Sequence, residues 1–173
     1  MMNLQSNDFE LFGVPEQFAQ DTAQLAERWK ALQKEAHPDR FASQGAAAQR
    51  VAMQWSVRIN EAYQRLKDPL KRAAYLCELH GAPIRAEDNT AMPAAFLMQQ
   101  MEWREALEDA GSLDAVDALD DEVQALRRSM IARCQQLIDT DRNYADAAQQ
   151  VRALMFVARF SSDIDRRREQ LGQ

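Results

Sequence analysis

Residues 25–45 read LAERWKALQKEAHPDRFASQG, and the break inside that stretch decides the fold. Leu25, Trp29, Leu32 and Ala36 recur at steps of four, three and four, the spacing of one apolar face of an α-helix. Pro38 has no N–H and disfavours helical geometry at His37, so the helix is expected to end there. Past a short polar loop containing Gly45 the period resumes through Ala52, Trp55, Ile59, Ala62 or Tyr63, and Leu66. Two amphipathic helices joined by so short a loop should fold back as an antiparallel pair. His37, Pro38 and Asp39 then stand at the tip of a helical hairpin, which points to protein recognition.

Working outward, Phe9, Leu11, Phe12 and Val14 before Pro15 read as a short apolar turn or helix. Asp21, with Gln24 three residues on, resembles a capping box that opens the second helix. A third helix is expected from about Ala46 to Lys67. Asp68-Pro69 reads as an N-cap and first helical residue of a fourth, and His80-Gly81 closes it with a glycine C-cap. Pro83, Asn89 and Pro93 punctuate the stretch that follows, which gives a linker over 81–93. Domain limits of 1–80 and 94–173 follow.

The second half shows three helical segments. Ala94 to Asp109 is the first, ended by Gly111. Ser112 is an N-cap candidate for the next, whose apolar residues are Val116, Leu119, Val123, Leu126, Met130 and Leu137, with Cys134 alongside. Asn143, with Asp146 three on, opens the last, which carries Tyr144, Ala147, Val151, Leu154 and Ala158. Three helices with short connections predict an antiparallel bundle. No long window alternates with period two, so the fold class is all-α.

The 173 residues are 46% hydrophobic and 28% charged, ordinary for a globular protein. The whole net charge of −6 falls on residues 81–173, whereas 1–80 sums to zero. An acidic second half is a poor match for a phosphate backbone, so nucleic acid is not an expected partner. No apolar run approaches the roughly 18 residues of a membrane span. Met1 to Glu10 lacks the features of a secretory signal, and Cys77 and Cys134 make neither a CxxC nor a disulfide framework. A cytoplasmic location is expected. Both cysteines sit at apolar-face spacing and are expected to be buried, and Trp29, Trp55 and Trp103 are expected core anchors.

A short first helix, a basic second helix, His-Pro-Asp in the loop and a long third helix resemble a J-domain. Phe9-Glu10-Leu11-Phe12-Gly13-Val14-Pro15, His37-Pro38-Asp39-Arg40-Phe41-Ala42 and Ala95-Phe96-Leu97-Met98-Gln99-Gln100-Met101-Glu102 narrow the likeness to the HscB type, the J-protein co-chaperones of iron–sulfur cluster assembly. The resemblance spans essentially the whole chain. General J-proteins of the DnaJ type continue into a Gly/Phe-rich segment and often a CxxC zinc region, neither of which occurs here. The cysteine pairs of some eukaryotic relatives are also missing, so neither a metal nor a cofactor is expected.

Opposite the apolar face of the second helix lie Lys30 and Lys34, with Arg28 at its margin. Alone, that is a solvated face. The resemblance implies instead that Arg28, Lys30, Lys34 and Arg40, with His37, Pro38 and Asp39, dock on an acidic surface of an HscA-type (DnaK-family) ATPase chaperone. Pro38 would fix the loop, Asp39 would pair with an arginine of the chaperone, and His37 would favour the negative end of the second helix. A catalytic or metal-binding role for His37 and Asp39 competes, but His80 is the only other histidine and no nucleophile motif or phosphate loop accompanies them. No catalytic residue is expected, and the chain reads as a non-enzyme.

The Ala94–Asp109 helix has two apolar stripes where a bundle needs one. Phe96, Trp103, Leu107 and Ala110 share a narrow arc and are expected to face the core. Leu97, Met98 and Met101 fall on the other side beside Glu102 and Glu105. The second stripe either packs against the first domain or stays exposed for a partner. The resemblance implies that Leu97, Met98, Met101, Glu102 and Glu105, with Phe156 from the last helix, bind the iron–sulfur scaffold IscU. It also implies stimulation of the chaperone's ATP hydrolysis. A general J-protein with a different client is the alternative, and a helical protein with an accidental tripeptide is the third reading.

Overall fold

In a computed structural model, residues 3–85 and 92–172 are described. Part of the expected linker, including Asn89, lies outside them. The described residues contain seven α-helices and no strand: α1 (Asp8–Phe12), α2 (Thr22–Ala36), α3 (Ala46–Lys67), α4 (Pro69–Leu79), α5 (Ala94–Asp109), α6 (Leu113–Gln135) and α7 (Tyr144–Leu171). The chain divides into two compact units, Met1–Leu76 and Cys77–Gln173. None of the described helices is long and apolar enough to cross a membrane.

The caps read from sequence are in place. The Asp21 side chain accepts from the N–H groups of Ala23 and Gln24, Ser112 from Ala115, and Asn143 from Asp146. Asp68 Oδ1 accepts from the Leu70 N–H ahead of α4. Gly81, at φ 78°, lets the chain turn back so that the Ala82 N–H reaches the Cys77 carbonyl at 2.8 Å. Between α2 and α3 the expected polar loop is a tight 3-10 turn over Pro38–Gln44.

The first unit is an α2–α3 hairpin with α1 laid across it. Phe9, Leu11, Phe12, Leu25, Ile59, Ala62 and Leu66 form its core. Within it lies a group the sequence did not announce. Asp8 is wholly buried, and its carboxylate takes two hydrogen bonds from Arg65, at 2.6 and 2.9 Å, with Arg58 Nη1 2.8 Å away. The Asp8 N–H donates to Tyr75 Oη at 3.0 Å, and the Phe9 ring stacks on that of Tyr75. The carboxylate therefore ties α1 to α3, while its backbone ties it to α4. The bond to Asp8 is the main reason the Arg65 guanidinium is held above its usual pKa.

Of the three tryptophans, only Trp103 is a core residue, at 3% exposed. Trp29 and Trp55 are half-buried. The hairpin core is narrow and already filled by α1, so the indoles lie along its edges. Trp29 stacks on Tyr63 and donates from Nε1 to Asn60 at 2.9 Å, which satisfies its polar atom at the surface.

The second unit contains the bundle of α5, α6 and α7. Trp103 and Ala110 of α5 are buried as expected, while Phe96, Leu107 and, on α6, Leu126 are half-covered. On α7 the inward position falls to Val157 and not to Ala158, which is exposed. A helix of 28 residues does not hold one fixed sequence of steps against its neighbours. Gln136–Thr140 forms one π-turn, closed by the Asp141 N–H on the Gln136 carbonyl, and both Leu137 and Ile138 are buried there. Cys77 and Cys134 are buried in this unit, and burial pushes their thiols up to about 11 and about 12.

Replacing Asp8 with Ala strands two arginines around a buried site, and we expect a loss of about 3 kcal/mol in urea unfolding followed by circular dichroism. The raised thiol pKa values leave both cysteines protonated at pH 8. Iodoacetamide should therefore modify neither in native protein and both in denatured protein, as read by intact mass.

Candidate functional sites on the two units

On the first unit, Pro38 does what its chemistry requires. His37 is the last residue before it and is extended, with φ −61° and ψ 129°, so α2 stops. The His37 ring turns forward and its Nδ1 accepts the Asp39 N–H at 3.2 Å, capping the 3-10 turn. Nδ1 therefore carries no hydrogen in this geometry, and its 3.7 Å separation from Asp39 Oδ2 is not an ion pair. The sequence reading set His37 against the negative end of α2. In the structure Arg40 takes that place, with Nη1 3.4 Å from the Lys34 carbonyl. The His37 ring is already held by the Asp39 N–H, and the extended ψ at His37 carries the following chain off the α2 axis.

The Asp39 side chain is 91% exposed, so its carboxylate is presented to solvent at the tip of the hairpin. Arg28, Lys30, Lys34 and Arg40 are exposed as well. Arg28 passes close to Gly13, and Lys30 and Lys34 stand one helical turn apart on α2. The hairpin thus carries a row of cations leading to a single presented carboxylate.

Beside this row lies a feature the sequence reading missed. An apolar groove of about 660 Å³ opens between α2 and α3, lined by Leu32, Ala36, Phe41, Val51 and Trp55. Val51, Met53 and Val57 are each half or more exposed along α3. The signal was present as apolar residues off the main stripe of α3. Periodicity cannot separate a second stripe from a broad first one until the neighbours are placed.

On the second unit, α5 buries Trp103 and leaves its other apolar side open. Leu97 is 45% exposed, Met98 62% and Met101 65%. Glu102 and Glu105 beside them are also exposed. Phe156 is half-buried on α7, and the Arg159 guanidinium lies 5.2 Å from its ring centre. Phe156 lines a small cavity with Gln100, Trp103 and Arg104 of α5. Arg104 follows Leu97 by seven residues, two helical turns, so the two stand nearly in line along α5. Phe156 therefore borders one edge of the stripe and is not on it. Methionines on an open helix face, edged by carboxylates, make an adaptable surface for an apolar partner with positive charge at its rim. Among the described residues, no three His, Cys, Asp or Glu side chains are grouped to hold a metal.

Residues 92–165 match the family described as the HscB C-terminal oligomerisation domain. A co-chaperone protein HscB homolog of Burkholderia thailandensis is 51% identical over 174 residues, covering 99% of both chains. One from Burkholderia multivorans is 49% identical with the same coverage. Among solved structures, chaperone HscB from Vibrio cholerae is 40% identical and superposes with a TM-score of 0.81, covering 96% of this chain and 99% of that one. The human co-chaperone protein HscB is 26% identical with a TM-score of 0.89, covering 95% and 83%.

The exposure pattern on α5 has a direct energetic consequence. Joint substitution of Leu97, Met98 and Met101 by Ala should change unfolding stability by less than about 1 kcal/mol, because those side chains are already in water and Ala favours helix. Trp103→Ala should cost about 3 kcal/mol or more. Thermal or urea melts of the two variants distinguish the open stripe from the buried one.

Proposed function

The chain belongs to the HscB family of co-chaperones, and from that premise we propose that it is a two-armed adaptor for iron–sulfur cluster assembly. The first arm, residues 1–80, engages an HscA-type chaperone of the DnaK family through Arg28, Lys30, Lys34, Arg40 and the His37-Pro38-Asp39 turn. The cation row steers encounter with an acidic surface, and Asp39 accepts a paired hydrogen bond from an arginine of the chaperone. The rigid turn holds that carboxylate ready, so little ordering is required on docking. The second arm, residues 94–173, holds the scaffold IscU on Leu97, Met98, Met101, Glu102 and Glu105, with Phe156 at the edge.

The observation that carries the reading is the open stripe on α5. Three large apolar side chains, 45–65% exposed, sit on a helix whose other side already buries Trp103. Such a patch is removed from water when a partner covers it. The adaptor acts by proximity: a client held on one arm reaches the chaperone at a raised effective concentration, with 81–93 as the connection. The chain then stimulates ATP hydrolysis by the chaperone and does no chemistry itself. It needs no cofactor and works in the cytoplasm.

The test is steady-state ATP turnover by the cognate HscA-type chaperone, with this chain and IscU added separately and together. The adaptor reading expects stimulation by the chain and a further rise with IscU. His37→Gln should reduce stimulation to the basal rate while leaving IscU binding within about twofold. Ala at Leu97, Met98 and Met101 should weaken IscU binding by at least tenfold while leaving stimulation without IscU unchanged, since one or more of three apolar anchors is a hot spot. Stimulation with no effect of IscU would keep the first arm and assign a different client. Loss of both activities in either folded variant would overturn independent arms.

A further inference from the structure

Arg152 is the anomaly of the second unit. It is 9% exposed, and an arginine keeps its charge at any physiological pH. Buried charges are ordinarily paired with an opposite charge, because an uncompensated ion away from water is costly. Among the described residues the guanidinium makes one hydrogen bond, from Nη1 to the neutral Ile84 carbonyl at 2.9 Å, and no carboxylate forms an ion pair with it. Its other N–H groups are not among the enclosed, unpartnered donors of the protein. Arg152 lines a cavity of about 530 Å³ together with Ile84, Arg85, Ala145, Ala148 and Gln149.

Two further features of that cavity are positive. Arg85 adds a second guanidinium to the wall and sits at φ 46°, a left-handed conformation that a non-glycine residue adopts at some energetic cost. Ala145 and Ala148 belong to the first turns of α7, a 28-residue helix whose N-terminal end carries partial positive charge. Asp146, an acid in the same turn, is engaged by the Asn143 side chain at 2.9 Å. In a half of the chain that carries the entire net negative charge, two of the residues lining this cavity are cations and none of them is an acid.

We propose that this cavity is a binding site for a small oxyanion, a phosphate or carboxylate group, held by Arg152 at its base and Arg85 at its rim. The Arg152 guanidinium presents parallel N–H donors that match two oxygens of such a group. Gln149, one turn before Arg152, adds a neutral donor that orients the ligand without adding charge. Filling the site supplies a counter-charge that the described residues do not, and should steady the segment from Ala82 to Arg85 where it leaves α4. The proposal is independent of the chaperone and scaffold arms.

The test is a titration of the full chain with sodium phosphate, and in parallel with sodium acetate, at ionic strength held constant with sodium chloride, followed by amide and arginine Nε resonances. The expected result is saturable shifts confined to Ile84, Arg85, Gln149 and Arg152, with half-saturation in the millimolar range. The anion that saturates at the lower concentration identifies the ligand group as phosphate or carboxylate. Arg152→Gln should weaken binding by about tenfold or more, since the shorter neutral amide replaces the guanidinium fork. Should that variant fold poorly, Arg85→Gln, at an exposed position, should weaken binding severalfold with unchanged helix content. Shifts that never saturate, that spread equally over Lys30, Lys34 and Arg40, or that persist at full affinity in Arg152→Gln would overturn the site.

Discussion

Pro38 is the constraint on which the first unit depends. An uninterrupted helix from Thr22 to Lys67 would expose the apolar faces of both α2 and α3, with nothing in that segment to cover them. By removing one N–H and forcing His37 to an extended conformation, the proline converts one long rod into a hairpin whose faces bury each other. The same constraint shapes the tip of the hairpin. Because the chain must turn there, the His37 ring caps the 3-10 turn, Arg40 folds back on α2, and the Asp39 carboxylate is left facing solvent. Folding and presentation thus follow from one ring closure.

Charge is handled in opposite ways in the two units. Around Asp8 a wholly buried carboxylate is matched by two arginines and positioned through its own backbone on Tyr75, so α1 is locked in place. The cost of taking those ions from water is offset only because every partner is present. Around Arg152 a similar burial is matched by one carbonyl. The first arrangement is complete and therefore structural. The second is incomplete, and its open donors border a cavity.

The α5 helix shows why a surplus of hydrophobic residues is informative. A bundle helix needs one stripe, and Trp103, stacked on Phe160, supplies the inward anchor. Leu97, Met98 and Met101, 45–65% exposed, are apolar surface beyond what that inward stripe uses. Their carboxylate neighbours Glu102 and Glu105 are exposed beside them, so the apolar patch is edged by negative charge.

The sequence by itself placed six of the helices and left the first as a turn or helix, and the limits it marked are ones that are set locally. Asp21, Asp68, Ser112 and Asn143 satisfy N–H groups within three residues, Gly81 takes a left-handed turn, and Pro38 breaks the chain where it stands. It also placed the tripeptide at a tip and the second stripe of α5 away from Trp103, since both follow from 3.6 residues per turn. The tertiary structure alone decided what depends on neighbours far along the chain. That Asp8 is buried rests on Arg58 and Arg65, fifty and more residues away; that Trp29 and Trp55 are only edge residues rests on α1 filling the hairpin first; and that Val157 displaces Ala158 rests on packing along α7. The apolar groove beside the tripeptide and the half-empty shell of Arg152 belong to the same class. Spacing fixes which side chains share a face, whereas burial and charge pairing depend on what another segment brings to that face.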